Sequence, residues 1–251
     1  MTNDCVTAGI YFPLMPPTVL ALHYWSGAGR AFDAVRALLP AGTSLCGPDL
    51  PGFGRQPAPP NFDYSMSAYA DWVADYAQDH APGDFVLLGH RMGGKIARAL
   101  AARRPAGRRG VVLLAPSPPA GEPMTDEDRA AALAAHGHPE AAEKTFQKIT
   151  ELPLTATQRQ QVVADNLRST RAAWDAWLRA GAREDIAGLL VGLAVPCQLL
   201  VGAQDRAIVP ATQQRLTLPH LPAGTRCTVV PGAGHLLPLE APAAVAAALL
   251  R

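Results

Sequence analysis

The segment Gly89-His90-Arg91-Met92-Gly93 constrains this chain more than any other. It stands between a short apolar run, Asp84 to Leu88 (D-F-V-L-L), and a stretch of helical composition, Met92 to Arg104. In that stretch Ile96, Ala97, Leu100 and Ala101 form an apolar stripe. A strand that turns into a helix within so few residues holds its central residue in a strained backbone conformation. The residues two positions to either side must then be small. Gly89 and Gly93 meet that requirement and Gly94 adds room. The pattern is G-x-S-x-G with one change: Arg91 stands at the central position.

On both sides of this turn, apolar runs alternate with amphipathic segments of helix length, which predicts a mostly parallel sheet with helices on both faces. Thr18 to His23 is one strand, followed by a loop at Tyr24 to Gly29 and a helix through Phe32, Val35 and Leu38. Thr43 to Cys46 leads into the turn-rich Gly47 to Gly54, whose glycines and prolines exclude helix and central strand. A helix capped by Ser65 or Ser67 runs to about His80, and Gly110 to Leu114 is the strand after the turn.

From Ser117 to about Asp185 no strand-like run occurs. Helices are expected over Thr125 to Ala135, Pro139 to Lys148, Thr157 to Asn166 and Arg171 to Gly181. Strands return at Cys197 to Gly202 and Arg226 to Val230, with a helix near Pro210 to Leu218 between them and a last helix over Ala241 to Leu250. The expected architecture is α/β, a mostly parallel doubly wound sheet with an inserted helical cap. Residues 1–116 and 186–251 form the core and residues 117–185 the cap.

Lys plus Arg is 22 against 21 Asp plus Glu, a net charge of +1, so no single-sign field is available to hold nucleic acid or an anionic membrane surface. Every apolar run breaks short of the ~20 residues that a membrane-crossing helix needs. The first seventeen residues lack the basic start and apolar run of a signal peptide, and the expected location is cytoplasmic. Cys5, Cys46, Cys197 and Cys227 are far apart and read as reduced. No Cys/His spacing suits a metal, and no cofactor is implied. The expected partner is a small-molecule substrate or ligand, acting on a monomer or homodimer.

Two further stretches carry chemistry. Val201 to Pro210 places the carboxylate of Asp205 in the loop leaving a strand, and Pro231 to Glu240 is a glycine-rich loop that delivers His235 after the final strand. With position 91 these stand in the order nucleophile, acid, base. At this point the chain resembles the α/β-hydrolase superfamily, particularly its small capped esterases, enol-lactonases and C–C bond hydrolases, over nearly its whole length. The resemblance implies that Asp205 orients His235 and that His235 is the general base. It also implies an oxyanion hole from the backbone N–H groups of Trp25 and Met92, with Tyr24 and Leu236 near the pocket. His23, His90, His136 and His138 read as structural, and Trp174 and Trp177 as packing within the cap. Ser26 is polar and near the oxyanion loop, but nothing in its spacing recreates the turn.

A guanidinium stays protonated, so Arg91 has neither a lone pair with which to attack nor a proton for His235 to take. Covalent acyl transfer through position 91 is excluded. One reading is a framework for hydrolysis of an ester, lactone or related acyl bond, with that activity disabled or strongly reduced. A second is a lyase, isomerase or cofactor-free oxygenase in which His235 and Asp205 act as a base and Arg91 holds an anionic ligand. A third is a small-ligand-binding pseudoenzyme. In each, the expected partner of Arg91 is Asp205 or the anion of the ligand.

Overall fold

The computed structural model describes residues 18–250, so Cys5 and the signal-peptide reading of the first seventeen residues lie outside the described residues. In chain order the elements are β1 (Thr18–Leu22), α1 (Asp33–Arg36), β2 (Ser44–Cys46), α2 (Met66–His80), β3 (Phe85–His90), α3 (Met92–Ala102) and β4 (Arg108–Leu114). Then come α4 (Asp126–Ala134), α5 (Pro139–Ile149), α6 (Ala156–Arg168), α7 (Arg171–Ala176), β5 (Cys197–Gly202), α8 (Pro210–Thr212), β6 (Arg226–Val230), α9 (Leu237–Glu240) and α10 (Pro242–Leu249).

The strands form one sheet in the order β2-β1-β3-β4-β5-β6, and every pairing is parallel. Alternate strand residues point to opposite faces. Leu20, Leu22, Leu87, Val111, Leu113 and Leu199 pack with Tyr69 and Val73 of α2 and Ile96 and Leu100 of α3. Val19, Ala21, Val86, Leu88, Val112 and Leu114 pack on the other face with Phe32, Val35 of α1 and Val245 and Leu249 of α10. A sheet covered on both sides needs such continuous apolar strands. The chain winds outward in both directions from β1 and β3, so the loops leaving these neighbours diverge at their carboxyl ends, where this architecture opens a crevice.

Several elements differ in extent from the sequence-based expectation. The helix expected through Leu38 is a 3₁₀ turn at Gly29–Phe32 followed by a single α turn, and Leu38 is 49% exposed. Pro40 disfavours helical backbone at the residue before it, which limits the helix. α6 begins ahead of Thr157 because Thr155 and Gln158 form a reciprocal capping box. The helix expected over Arg171 to Gly181 is α-helical only to Ala176 and closes in a π-type turn, Trp177–Gly181. The helix expected near Pro210 to Leu218 passes from α into a π-type turn after Thr212. Among the described residues Cys46, Cys197 and Cys227 form no disulfide. Among the described residues no helix is long and apolar enough to cross a membrane.

At the start of α3 backbone approaches backbone with no room for a side chain. A Cβ on Gly89 would lie 2.5 Å from the Gly93 carbonyl oxygen, and one on Gly93 would fall on the Leu22 carbonyl and 2.7 Å from that of His23. Backbone cannot yield there as a flexible side chain can. Gly93→Ala is expected to lower unfolding free energy by about 2 kcal/mol or more in urea denaturation, whereas Gly188→Ala, which meets open space, leaves it nearly unchanged.

Candidate active site

Arg91 has φ 47° and ψ −107°, a conformation that non-glycine residues avoid. Three backbone hydrogen bonds hold it there. Its N–H donates to Leu114 O at 3.0 Å, and its carbonyl accepts from Lys95 N and Ser117 N, each at 3.1 Å. β3 and β4 supply the rigid frame, since their register still pairs Gly89 with Leu113 and His90 with Leu114. The turn is tied to the neighbouring strand by Gly93 N donating to His23 O at 3.2 Å.

β5 and β6 end beside this turn. Asp205, in the loop after β5, accepts from the Ala207 and Ile208 N–H groups at 2.7 and 2.8 Å through Oδ1. Its Oδ2 lies 2.7 Å from His235 Nδ1. Burial alone would raise the Asp205 carboxyl, but attraction to His235, their hydrogen bond and the two N–H donors outweigh it and hold the carboxyl below its ordinary value. With Nδ1 donating to Asp205, Nε2 keeps its lone pair, and it has no hydrogen-bond partner among the described residues. The His235 ring lies 4.8 Å from the ring of His90, the residue before Arg91. Asp205 and His235 are thus in contact, and His235 lies against the residue that precedes Arg91.

The partner of Arg91 differs from the expectation. Asp205 is committed to His235, and the Arg91 guanidinium instead forms two hydrogen bonds with Glu122, Nε to Oε1 at 3.1 Å and Nη2 to Oε2 at 2.9 Å. Its carbon also lies 5.4 Å from the centroid of the Trp25 ring. Glu122 is buried, 2% exposed, and Arg91 is half-buried, its side chain 12% exposed. They line a cavity of about 390 Å³, with Met124, Ile149 and Ile208 as apolar walls and Asp128, Lys148 and Arg206 adding charge. Its charged residues Glu122, Asp128 and Lys148 come from segments far from any motif.

Other candidates take the following places. Tyr24 and Leu236 do not line that cavity; both are buried in a small cluster with Ala31, Val162 and Leu239. Trp25, in contrast, is a wall of it and packs on Trp174 with ring centroids 4.1 Å apart. Trp177 is buried in the same core cluster. The Ser26 hydroxyl accepts from Asn166 Nδ2 at 3.3 Å and makes no hydrogen bond to His235. His136 bonds Ser169 O at 2.8 Å, and His138 is the N-cap position of α5. His90 is fully buried, neither ring nitrogen has a hydrogen-bond partner among the described residues, and burial, then the neighbouring His235, drives its pKa well below the ordinary value.

His23 holds the loop that carries Trp25. Its Nε2 accepts from Leu50 N at 2.9 Å, so Nδ1 carries the proton and donates to Tyr24 O at 2.7 Å. Burial lowers its pKa from 6.5 to about 4. Two carboxylates escape sequence reasoning. Glu122 sits in a loop with no periodic pattern. Glu240 accepts four backbone N–H groups, those of Gly234, Leu236, Glu151 and Leu152 at 2.8–2.9 Å, and so clamps the His235 loop to the segment after α5.

Comparison with known proteins identifies the family. A family model described as "Alpha/beta hydrolase family" matches residues 19–248. A pimeloyl-(acyl-carrier protein) methyl ester esterase of Chromobacterium violaceum is 31% identical over 91% of this chain and 84% of its own length. A 2-succinyl-6-hydroxy-2,4-cyclohexadiene-1-carboxylate synthase of Enterobacter sp. is 30% identical over 93% of this chain and 90% of its own. The solved structure of an esterase from Exiguobacterium antarcticum superposes with a TM-score of 0.82, covering 92% of this chain and 90% of that one at 18% identity, a likeness of fold.

The His23 imidazole gives stability a definite pH dependence. Between its folded pKa of about 4 and the unfolded 6.5, the unfolded chain holds a proton that the folded chain lacks. Stability from this group is complete above pH 6.5 and is lost on acidification by up to about 1.4 kcal/mol per pH unit. Urea unfolding at a series of pH values should show His23→Gln with a shallower slope in this window. Parallel slopes for the two proteins would contradict the assignment.

Proposed function

The chain belongs to the alpha/beta hydrolase family, and on that premise we propose that it is an acyl-ester hydrolase framework whose covalent step is blocked at position 91. The observation that carries this reading is the state of His235. Asp205 fixes its Nδ1, while Nε2 is buried, has no partner among the described residues and lies beside a turn strained in the manner of a nucleophile elbow. Nothing in the turn's backbone opposes a serine.

With a hydroxyl at position 91, His235 Nε2 would take its proton as the oxygen attacks the acyl carbon, then return that proton to the departing alcohol. The N–H groups of Trp25 and Met92 are the proposed donors to the oxyanion. Support comes from the link between their loops, in which Gly93 N bonds His23 O. Residues 117–185 act as a cap in this reading, because α4 and α5 contribute Asp128, Ala132, Thr145 and Ile149 to the cavity wall. The relatives include both an esterase and a synthase, so family membership leaves the reaction open. The reading with Arg91 as holder of an anionic ligand is less favoured. Its guanidinium is already engaged through two nitrogens, and an anion would have to break a buried pair.

Arg91→Ser is expected to raise kcat/KM for 4-nitrophenyl butyrate by roughly 10³-fold or more over the parent chain, and His235→Ala in that background to abolish the gain. A correctly folded Arg91→Ser protein no faster than the parent would reject the proposal.

A further inference from the structure

Glu122 is a buried ionisable group that acyl transfer does not use, since Asp205 is the carboxylate that serves His235. A carboxylate this dry is costly unless a cation answers it. In this chain both of its oxygens accept from one guanidinium, which also lies over the face of Trp25. A carboxylate with two in-plane acceptors, an aromatic face and an adjoining cavity of about 390 Å³ together make a receptor for a planar cation. Arg91 is seated in it.

Two other cations near this spot are engaged elsewhere. Lys95 is buried, feels the charge of Glu122, and donates to Gly181 O at 3.1 Å; it forms no ion pair with Glu122 within 4.0 Å among the described residues. Arg206, on the cavity wall, pairs with Glu151 at 3.0 Å and donates to the carbonyls of Lys148 and Thr150, each at 3.0 Å. Neither takes the place of the guanidinium.

We propose that Glu122 and Trp25 form a cation subsite of the cavity, suited to a substrate bearing a guanidinium or primary ammonium group, and that Arg91 fills it from within. The cation preference stands on this geometry alone; only its use on an ester rests on the hydrolase reading above. Removing the Arg91 side chain vacates the receptor and leaves Glu122 in need of a partner.

The test compares the parent, Arg91→Ser and Arg91→Ser/Glu122→Gln by calorimetry with n-butylguanidinium and with n-butylurea, a neutral molecule of nearly the same shape. Arg91→Ser should bind the cation about tenfold or more tightly than the urea, the double variant should not discriminate, and the parent should show no preference. Equal affinities in Arg91→Ser, or a preference that survives Glu122→Gln, would overturn the subsite. Should the double variant not fold, the charged and neutral pair on Arg91→Ser decides by itself. A second arm separates the two proposals, using 4-nitrophenyl esters of 4-guanidinobutyrate and of pentanoate. Selective cation binding with neither ester cleaved rejects the hydrolase reading and keeps the subsite. Cleavage of both esters without preference does the reverse.

Discussion

The backbone at residue 91 is the constraint from which the rest of the site follows. A residue held at positive φ costs about 1–3 kcal/mol, and it persists only where its surroundings over-determine it. Here they do. β4 fixes the N–H, the first turn of α3 and the loop after β4 fix the carbonyl, and Gly93 lets the end of β1 approach within contact. The side chain at this position therefore projects where the sheet's two windings part, whatever that side chain is.

Given that placement, the charges sort themselves by burial. A guanidinium forced into a nearly dry crevice needs an anion, and Asp205 is unavailable because His235 and two N–H groups already saturate it. Glu122 answers instead, reached from a loop whose backbone is bound to Ala182 by its own N–H at 2.8 Å. The Asp205–His235 pair and the Glu122–Arg91 pair are thereby kept as separate electrostatic units. His235 retains its acid partner and a free nitrogen, while Arg91 is neutralised across the cavity.

Much of the frame is legible in the sequence. β5 and β6 begin and end at the residues expected, because Pro196 and the glycines at their ends punctuate them. β3 runs on to His90, beyond the apolar run, since its motif residues still belong to the ladder with β4. Asp205 and His235 were legible because each follows a strand in a motif of fixed order. Glu122 was not. It lies 31 positions from Arg91 in a stretch of prolines and glycine, and only the fold brings the two together. The charged lining of the cavity was hidden for the same reason, and the clamp made by Glu240 depends on a segment 89 residues away.

The most direct test of a position-91 side chain poised against a working base is covalent. Arg91→Ser, treated with a small fluorophosphonate and analysed by mass spectrometry, should gain one phosphonyl group per chain, located on residue 91, and should gain none when His235 is also replaced by alanine. A folded Arg91→Ser protein that stays unlabelled, or that carries the label on Ser26 or another residue, would contradict the account.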